Sequence, residues 1–185
     1  MKIGLSIILL LIVSVSYPQI KNIYSISIDD INGRRIPLED FKGKKILFII
    51  LPIGNQDASI TSQLAVLQKK YQQSLVIVGV PAEEAGFKKH EEKKWRELYG
   101  NQRENFILSG SMKVKKAAKE KQSPIFQWLT AKGKNRHFDQ DVKDAGHKYF
   151  IDEKGELYAV IGPEIPLSNP IIDKILSKVS NVNGY

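Results

Sequence analysis

The chain has 185 residues, a formal net charge of +8 and no cysteine. Its length suits one domain of ordinary size. The missing cysteine excludes a disulfide framework and all thiol chemistry, and the positive charge favours anionic partners or surfaces without identifying them.

The opening MKIGLSIILLLIVSVSYPQ fits a secretory signal: Lys2 supplies the positive end and Ile3 to Val15 the apolar core. That core is shorter than the roughly 18 to 20 residues that span a bilayer. Ser14 and Ser16 are small residues before a cut at Tyr17, so residues 1–16 are expected to leave. The product would be periplasmic or secreted, with no membrane span after cleavage; an uncleaved N-terminal anchor is the other reading. Without a cysteine in this region, a lipid-anchored lipoprotein is not expected. The domain is expected over residues 22–179, followed by a short tail, 180–185.

Ile23 to Ile28 alternates apolar and polar residues, the pattern of a half-buried strand. Asn32-Gly33 is a hairpin signal, with Arg35 to Leu38 as the returning strand. Leu38 to Gly43 reads as a short turn anchored by Phe41. Ile46 to Leu51 is an unbroken apolar run, as in a strand covered on both faces. Pro52, Gly54, Asn55 and Gln56 interrupt it, and Asp57 or Ser59 can cap a following helix. Ile60, Leu64, Leu67 and Tyr71 form one helical face, and Gln72 and Gln73 end it. Leu75 to Val80 is a second buried strand, giving a βαβ unit with parallel strands. Lys88 to Tyr99 predicts a charged helix with Trp95, Leu98 and Tyr99 inward and Gly100 after its end. Asn105 to Leu108 is a further short strand, and Met112 to Gln122 a basic surface stretch. Ser123-Pro124 opens a short helix to Thr130. Ala131 to Asp144 reads as a polar loop. Lys148 to Ile151 and Glu156 to Ile161 form a closing hairpin around Asp152 to Gly155. A last helix opens at Ser168-Asn169-Pro170. There is no internal repeat and no low-complexity segment.

This order is that of an α/β thioredoxin-like fold, a central mixed sheet flanked by helices and preceded by an N-terminal β-hairpin. The stretches SISIDDINGRRIPLEDFKGKKILFII, QSPIFQWLTAKGK and KYFIDEKGELYAVIGPEIP together resemble the glutathione peroxidase family over nearly all of Ile23 to Val179. Thioredoxin-like thiol reductases and peroxiredoxins share the first half but match SPIFQWL less well. The resemblance implies a Cys or selenocysteine at the helix N-terminus after the first core strand, where the dipole favours the thiolate. The thiolate attacks peroxide and a second thiol reduces the resulting sulfenic acid. Gln, Trp and Asn side chains complete such a site.

Aligned without gaps from Ile46, the nucleophile position falls at Asn55. An amide has no accessible anionic form and is not oxidised in this way. In the register of a Cys-x-x-Cys reductase the two positions fall near Asp57 and Ile60, with the same consequence. The Gln position falls at Glu84, whose carboxylate would oppose a thiolate. The Trp-Asn pair falls at Asp144-Ala145. No catalytic residue is therefore expected to function, and no cofactor or metal is expected.

Three functions follow as expectations. The first is an exported binding or interaction module, catalytically silent as a peroxidase. The second is the family role in peroxide reduction and oxidative-stress response. The third is a non-redox site built from Asp57, Glu83, Glu84 and Asp144, against the plainer reading of four solvated loop carboxylates. His90, His137 and His147 lack metal-ligand spacing and read as surface or structural residues. Ser59, Thr61 and Ser62 have no sequence-paired His and read as capping hydroxyls. Lys113, Lys115, Lys116, Lys119 and Lys121, with Lys132, Lys134 and Arg136, bracket the SPIFQWL helix. They offer a basic face to a polyanionic envelope surface or an acidic protein, or are simply solvated. Few aromatics interleave them, so nucleic acid is not expected.

Overall fold

A computed structural model of the chain describes residues 22–52, 57–99, 105–116 and 122–178. The expected signal segment, Asn55, Gly100, Lys119, Lys121 and the expected tail lie outside them. The element order is β1 (Ser27–Asp29), β2 (Arg35–Pro37), β3 (Lys45–Ile50), α1 (Asp57–Lys70), β4 (Leu75–Val80), α2 (Glu92–Tyr99), β5 (Phe106–Leu108), α3 (Pro124–Leu129), α4 (Lys132–Asn135), β6 (Lys148–Ile151), β7 (Leu157–Ile161) and α5 (Pro170–Ser177). Strands β1 and β2 form an antiparallel hairpin. The main sheet has the order β5-β4-β3-β6-β7. Strands β3, β4 and β5 run parallel, whereas β6 and β7 are antiparallel to their neighbours.

Strand β3 is buried along its whole length, and its side chains divide between two cores. Because successive side chains point to opposite faces, Ile46, Phe48 and Ile50 pack with Ile125, Phe126, Trp128 and Leu129 around α3 and with Ile28 and Ile36 of the hairpin. Leu47, Ile49 and Leu51 pack on the other face with Leu64 and Leu67 of α1, Trp95 and Tyr99 of α2, and Ile172 and Leu176 of α5. The continuous apolar runs of β3 and β4 thus reflect a sheet covered on both sides.

Both hairpins close with the same device. In Asp30-Ile31-Asn32-Gly33-Arg34, Asp30 Oδ1 accepts the N–H groups of Asn32 and Arg34, each at 2.9 Å. In Asp152-Glu153-Lys154-Gly155-Glu156, Asp152 Oδ1 accepts those of Lys154 and Glu156, also at 2.9 Å. Gly33 and Gly155 occupy the fourth position with φ of +79° and +83°. The first turn is organised by its aspartate and not by Asn-Gly alone. Gly155 is also sterically constrained: a Cβ there would lie 2.6 Å from Tyr24 Cε2 and 2.8 Å from Asn22 Oδ1. Gly155→Ala is expected to cost about 1 to 2 kcal/mol, the left-handed backbone penalty plus displacement of the Tyr24 ring. Urea unfolding of the two proteins checks this; equal midpoints would contradict it.

Several local expectations are corrected. Ile23–Ser25 is a 3-10 turn, because the Asn22 side chain accepts the Tyr24 N–H and draws the chain round before β1 begins. Helix α1 ends at Lys70, ahead of the two glutamines. Residues 89–91 form a 3-10 turn, so α2 starts only at Glu92. The described part of the basic stretch is not purely surface: Met112 and Val114 are buried, and Met112 bridges to Ala82. Ser123 precedes α3, but its Oγ accepts the N–H of Lys113 and no helix N–H. The polar segment after Thr130 contains α4 and the buried Asn135.

Candidate functional site

Leu51 and Pro52 follow strand β3 at the C-terminal edge of the sheet. Asn55 lies outside the described residues. Asp57 is the first residue of α1, and Ser59 sits within its first turn. Ser59 Oγ accepts from Gln63 Nε2 at 3.0 Å, a contact between side chains one turn apart. The expected backbone cap at Ser59 is therefore replaced by a side-chain pair.

Glu83 and Glu84 lie in a 3-10 turn after β4. Both Glu84 carboxylate oxygens accept the Val114 N–H at 3.0 Å, and Oε1 also accepts the Lys115 N–H at 3.0 Å. Backbone bonds from Glu83 N to Met112 O and from Met112 N to Pro81 O extend the same seam. Glu84 thus clamps the 112–115 segment through its carboxylate oxygens. Asp144 is exposed and accepts the Ala145 N–H at 2.8 Å. It precedes β6, whereas Glu84 follows β4, so the two carboxylates lie on opposite flanks of β3. Among the described residues no group of three His, Cys, Asp or Glu side chains is placed to hold a metal ion.

The turn before β6 is bound to the edge of β3: Gly146 N donates to Ile50 O and Ile50 N to His147 O. This places Ala145 beside Pro52. The two line one pocket of about 440 Å³ with Ser59, Ile60, Lys148 and Leu167. Of the positions implied by the resemblance, the structure brings Ala145 and Ile60 to this pocket, while Glu84 does not line it.

Two consecutive basic residues, His147 and the pocket-lining Lys148, were not singled out for chemistry by their sequence context. His147 is fully buried. Its Nδ1 accepts the Lys143 N–H at 3.0 Å, which assigns the ring proton to Nε2, an atom with no hydrogen-bond partner among the described residues. Burial, and then the charges of Lys148 and Lys143, lower its pKa to about 4. His90 and His137 are exposed, as expected for surface histidines. Lys148 is 1% exposed, and its ammonium donates to the carbonyls of Gly146 and Gly162. Burial lowers its pKa to about 8, against a smaller opposite push from Glu164. A lysine opening a strand that is otherwise apolar is the available signal.

In the basic stretch, Lys116 Nζ meets Asp139 at 2.7 Å, and the Lys116 N–H is held by Asp141. Lys134 Nζ bonds Gln127 Oε1 at 2.8 Å. Acidic and amide groups therefore already answer part of that charge.

The family model described as glutathione peroxidase matches residues 23–130. No curated protein matches the chain. Among solved structures, Trgpx in apo form is 19% identical, with 84% of this chain and 93% of that one covered and a TM-score of 0.62. T. cruzi GPX1 is 17% identical, with 84% and 94% covered and a TM-score of 0.61. The exposed lipoprotein thioredoxin Etrx1 of Streptococcus pneumoniae is 16% identical, with 82% and 96% covered and a TM-score of 0.54. At these identities the three structures speak for the thioredoxin-like fold. The family match spans more than half of the 185 residues, from the first turn through α3: the chain belongs to the glutathione peroxidase family.

Proposed function

We propose that the chain is an exported binding or interaction protein built on a glutathione peroxidase scaffold, without thiol peroxidase activity. The observation that carries this reading is the absence of cysteine from all 185 residues. Peroxide reduction by this family's chemistry needs a thiolate or selenolate that is oxidised and then regenerated, and Asn55 supplies neither. Glu84, at the position aligned with the family's Gln, is engaged with the backbone of Val114 and Lys115. Its partner is an anionic surface or protein, met through Lys113, Lys115, Lys116, Lys119 and Lys121. The N-terminal signal directs it out of the cytoplasm.

The test is peroxide consumption by the purified protein with glutathione or thioredoxin as reductant. The expected rate equals that of the protein-free control. Turnover above it that disappears in Asn55→Ala would establish the family's peroxidase role instead.

A further inference from the structure

The pocket beside α1 has a volume of about 440 Å³, within the range that takes small ligands. Its walls are mostly apolar: Pro52, Ile60, Pro163, Ile165, Pro166 and Leu167. Ala145 and Gly146 contribute little bulk on the third side, which keeps the space open. Its polar lining comes from Ser59, Gln63 and Lys148.

The hydrogen-bond inventory shows which of these remain available. Gln63 is committed at both ends: Nε2 donates to Ser59 Oγ, and Oε1 accepts the Ser168 N–H at 3.1 Å. Ser59 Oγ therefore acts as an acceptor toward Gln63 and keeps its own hydroxyl hydrogen to give. Lys148 has three N–H donors and places two on Gly146 O and Gly162 O, leaving one. The pocket thus presents two donors and one fixed positive charge, and among the described residues no carboxylate side chain lines it. The first turn of the 14-residue α1, which carries Ser59 and Ile60, adds the positive end of the helix dipole.

We propose that this pocket binds a small carboxylate with a compact apolar body, its carboxylate held by the Lys148 ammonium and the Ser59 hydroxyl. A carboxylate matches one charge and two donors, with one oxygen for each. A phosphate would bring more charge and more acceptors than the lining satisfies. The apolar walls take the body of the acid, and the described lining is too poor in acceptors to select an amine. Near neutral pH Lys148 remains mostly protonated, so the charge is in place when the ligand arrives. This ligand class goes beyond the binding reading given above, which places its partner on the lysines of the basic stretch.

The test is calorimetric titration of the full chain with hexanoate, hexylamine and hexanol. Hexanoate is expected to bind saturably with one site, at least tenfold more tightly than hexanol, and hexylamine is expected not to bind. Lys148→Met is expected to weaken hexanoate at least tenfold and Ser59→Ala severalfold. Ala145→Trp, which fills the space from the β6 side, is expected to abolish binding; circular dichroism confirms that each variant is folded. If Lys148→Met does not fold, Ser59→Ala and Ala145→Trp decide the matter. No saturable hexanoate binding, equal binding of the three probes, or hexanoate affinity unchanged in the folded variants would overturn the assignment. That failure, with peroxide turnover still absent, leaves the peroxidase-silent reading standing. Peroxide turnover would overturn that reading whatever the pocket binds.

Discussion

Asn135→Ala is expected to destabilise the fold by about 3 to 4 kcal/mol, the largest loss from any single polar side chain considered for this protein. Asn135 is 3% exposed and serves five backbone groups. Its two Nδ2 hydrogens are shared among Trp128 O at 2.9 Å, Leu129 O at 3.1 Å and Phe138 O at 2.9 Å. Its Oδ1 accepts the N–H groups of His137 and Phe138, both at 2.8 Å. These bonds finish the C-terminal end of α3, whose last carbonyls have no helical partner, and tie it to the segment after α4. Alanine would leave buried donors and acceptors without partners, each costing about 1 to 3 kcal/mol unless water enters. Because α3 carries Ile125, Phe126, Trp128 and Leu129 into the core, loosening its end also disturbs packing against β3. Asn135→Asp is expected to fail similarly, since an acceptor would then face three carbonyls. Guanidinium unfolding followed by tryptophan fluorescence measures both. A loss below about 1 kcal/mol in either variant would show that the five bonds are readily replaced by water.

Acidification from pH 7 to 4.5 is expected to cost the native state about 2 to 3 kcal/mol through His147. The unfolded histidine titrates near its ordinary 6.5, whereas burial holds the native one near 4. Between those values the unfolded chain binds a proton that the native chain refuses, so stability is full above about 6.5 and falls as pH drops toward 4. The displacement corresponds to at most about 3 kcal/mol, reduced by whatever screening the site allows. Glu39, Asp139 and Asp173 are held below the usual carboxylate range by Lys42, Lys116 and Lys70 respectively. Their contribution is lost at still lower pH, which leaves the 4 to 6.5 window largely to the histidine. His147→Gln keeps an oxygen acceptor for the Lys143 N–H and removes the titration. Its stability should be nearly level from pH 7 to 4.5. An unchanged acid slope in that variant would assign the effect elsewhere.

The sequence carried the fold because the fold depends on patterns repeated along each element. Two unbroken apolar runs marked β3 and β4, helical spacing of Ile60, Leu64, Leu67 and Tyr71 marked α1, and Asn169-Pro170 marked the start of α5, where Asn169 does accept the Ile171 N–H. Ile23 to Ser25 was misread because alternation there is too short to outweigh one local side-chain bond from Asn22. The stretch 131–144 was read as a loop because α4 has only four residues and no apolar stripe.

The sequence by itself also determined the chemistry the protein cannot perform, since a chain without cysteine has no thiolate however it folds. What only the tertiary structure decided were the roles of its polar residues. Glu84 is a clamp because β4 and the 112–115 segment meet beneath it. Asn135 is a hub because five backbone groups converge on one buried amide. Lys148 stands at a pocket because the turns at Gly146 and Gly162 close around its ammonium, while α1 brings Ser59 from almost ninety residues away in the chain. Apolar periodicity is a local property and survives in one dimension. The meaning of a charge or an amide depends on which distant backbone groups lie within about 3 Å of it, and that is set only when the sheet and helices have packed.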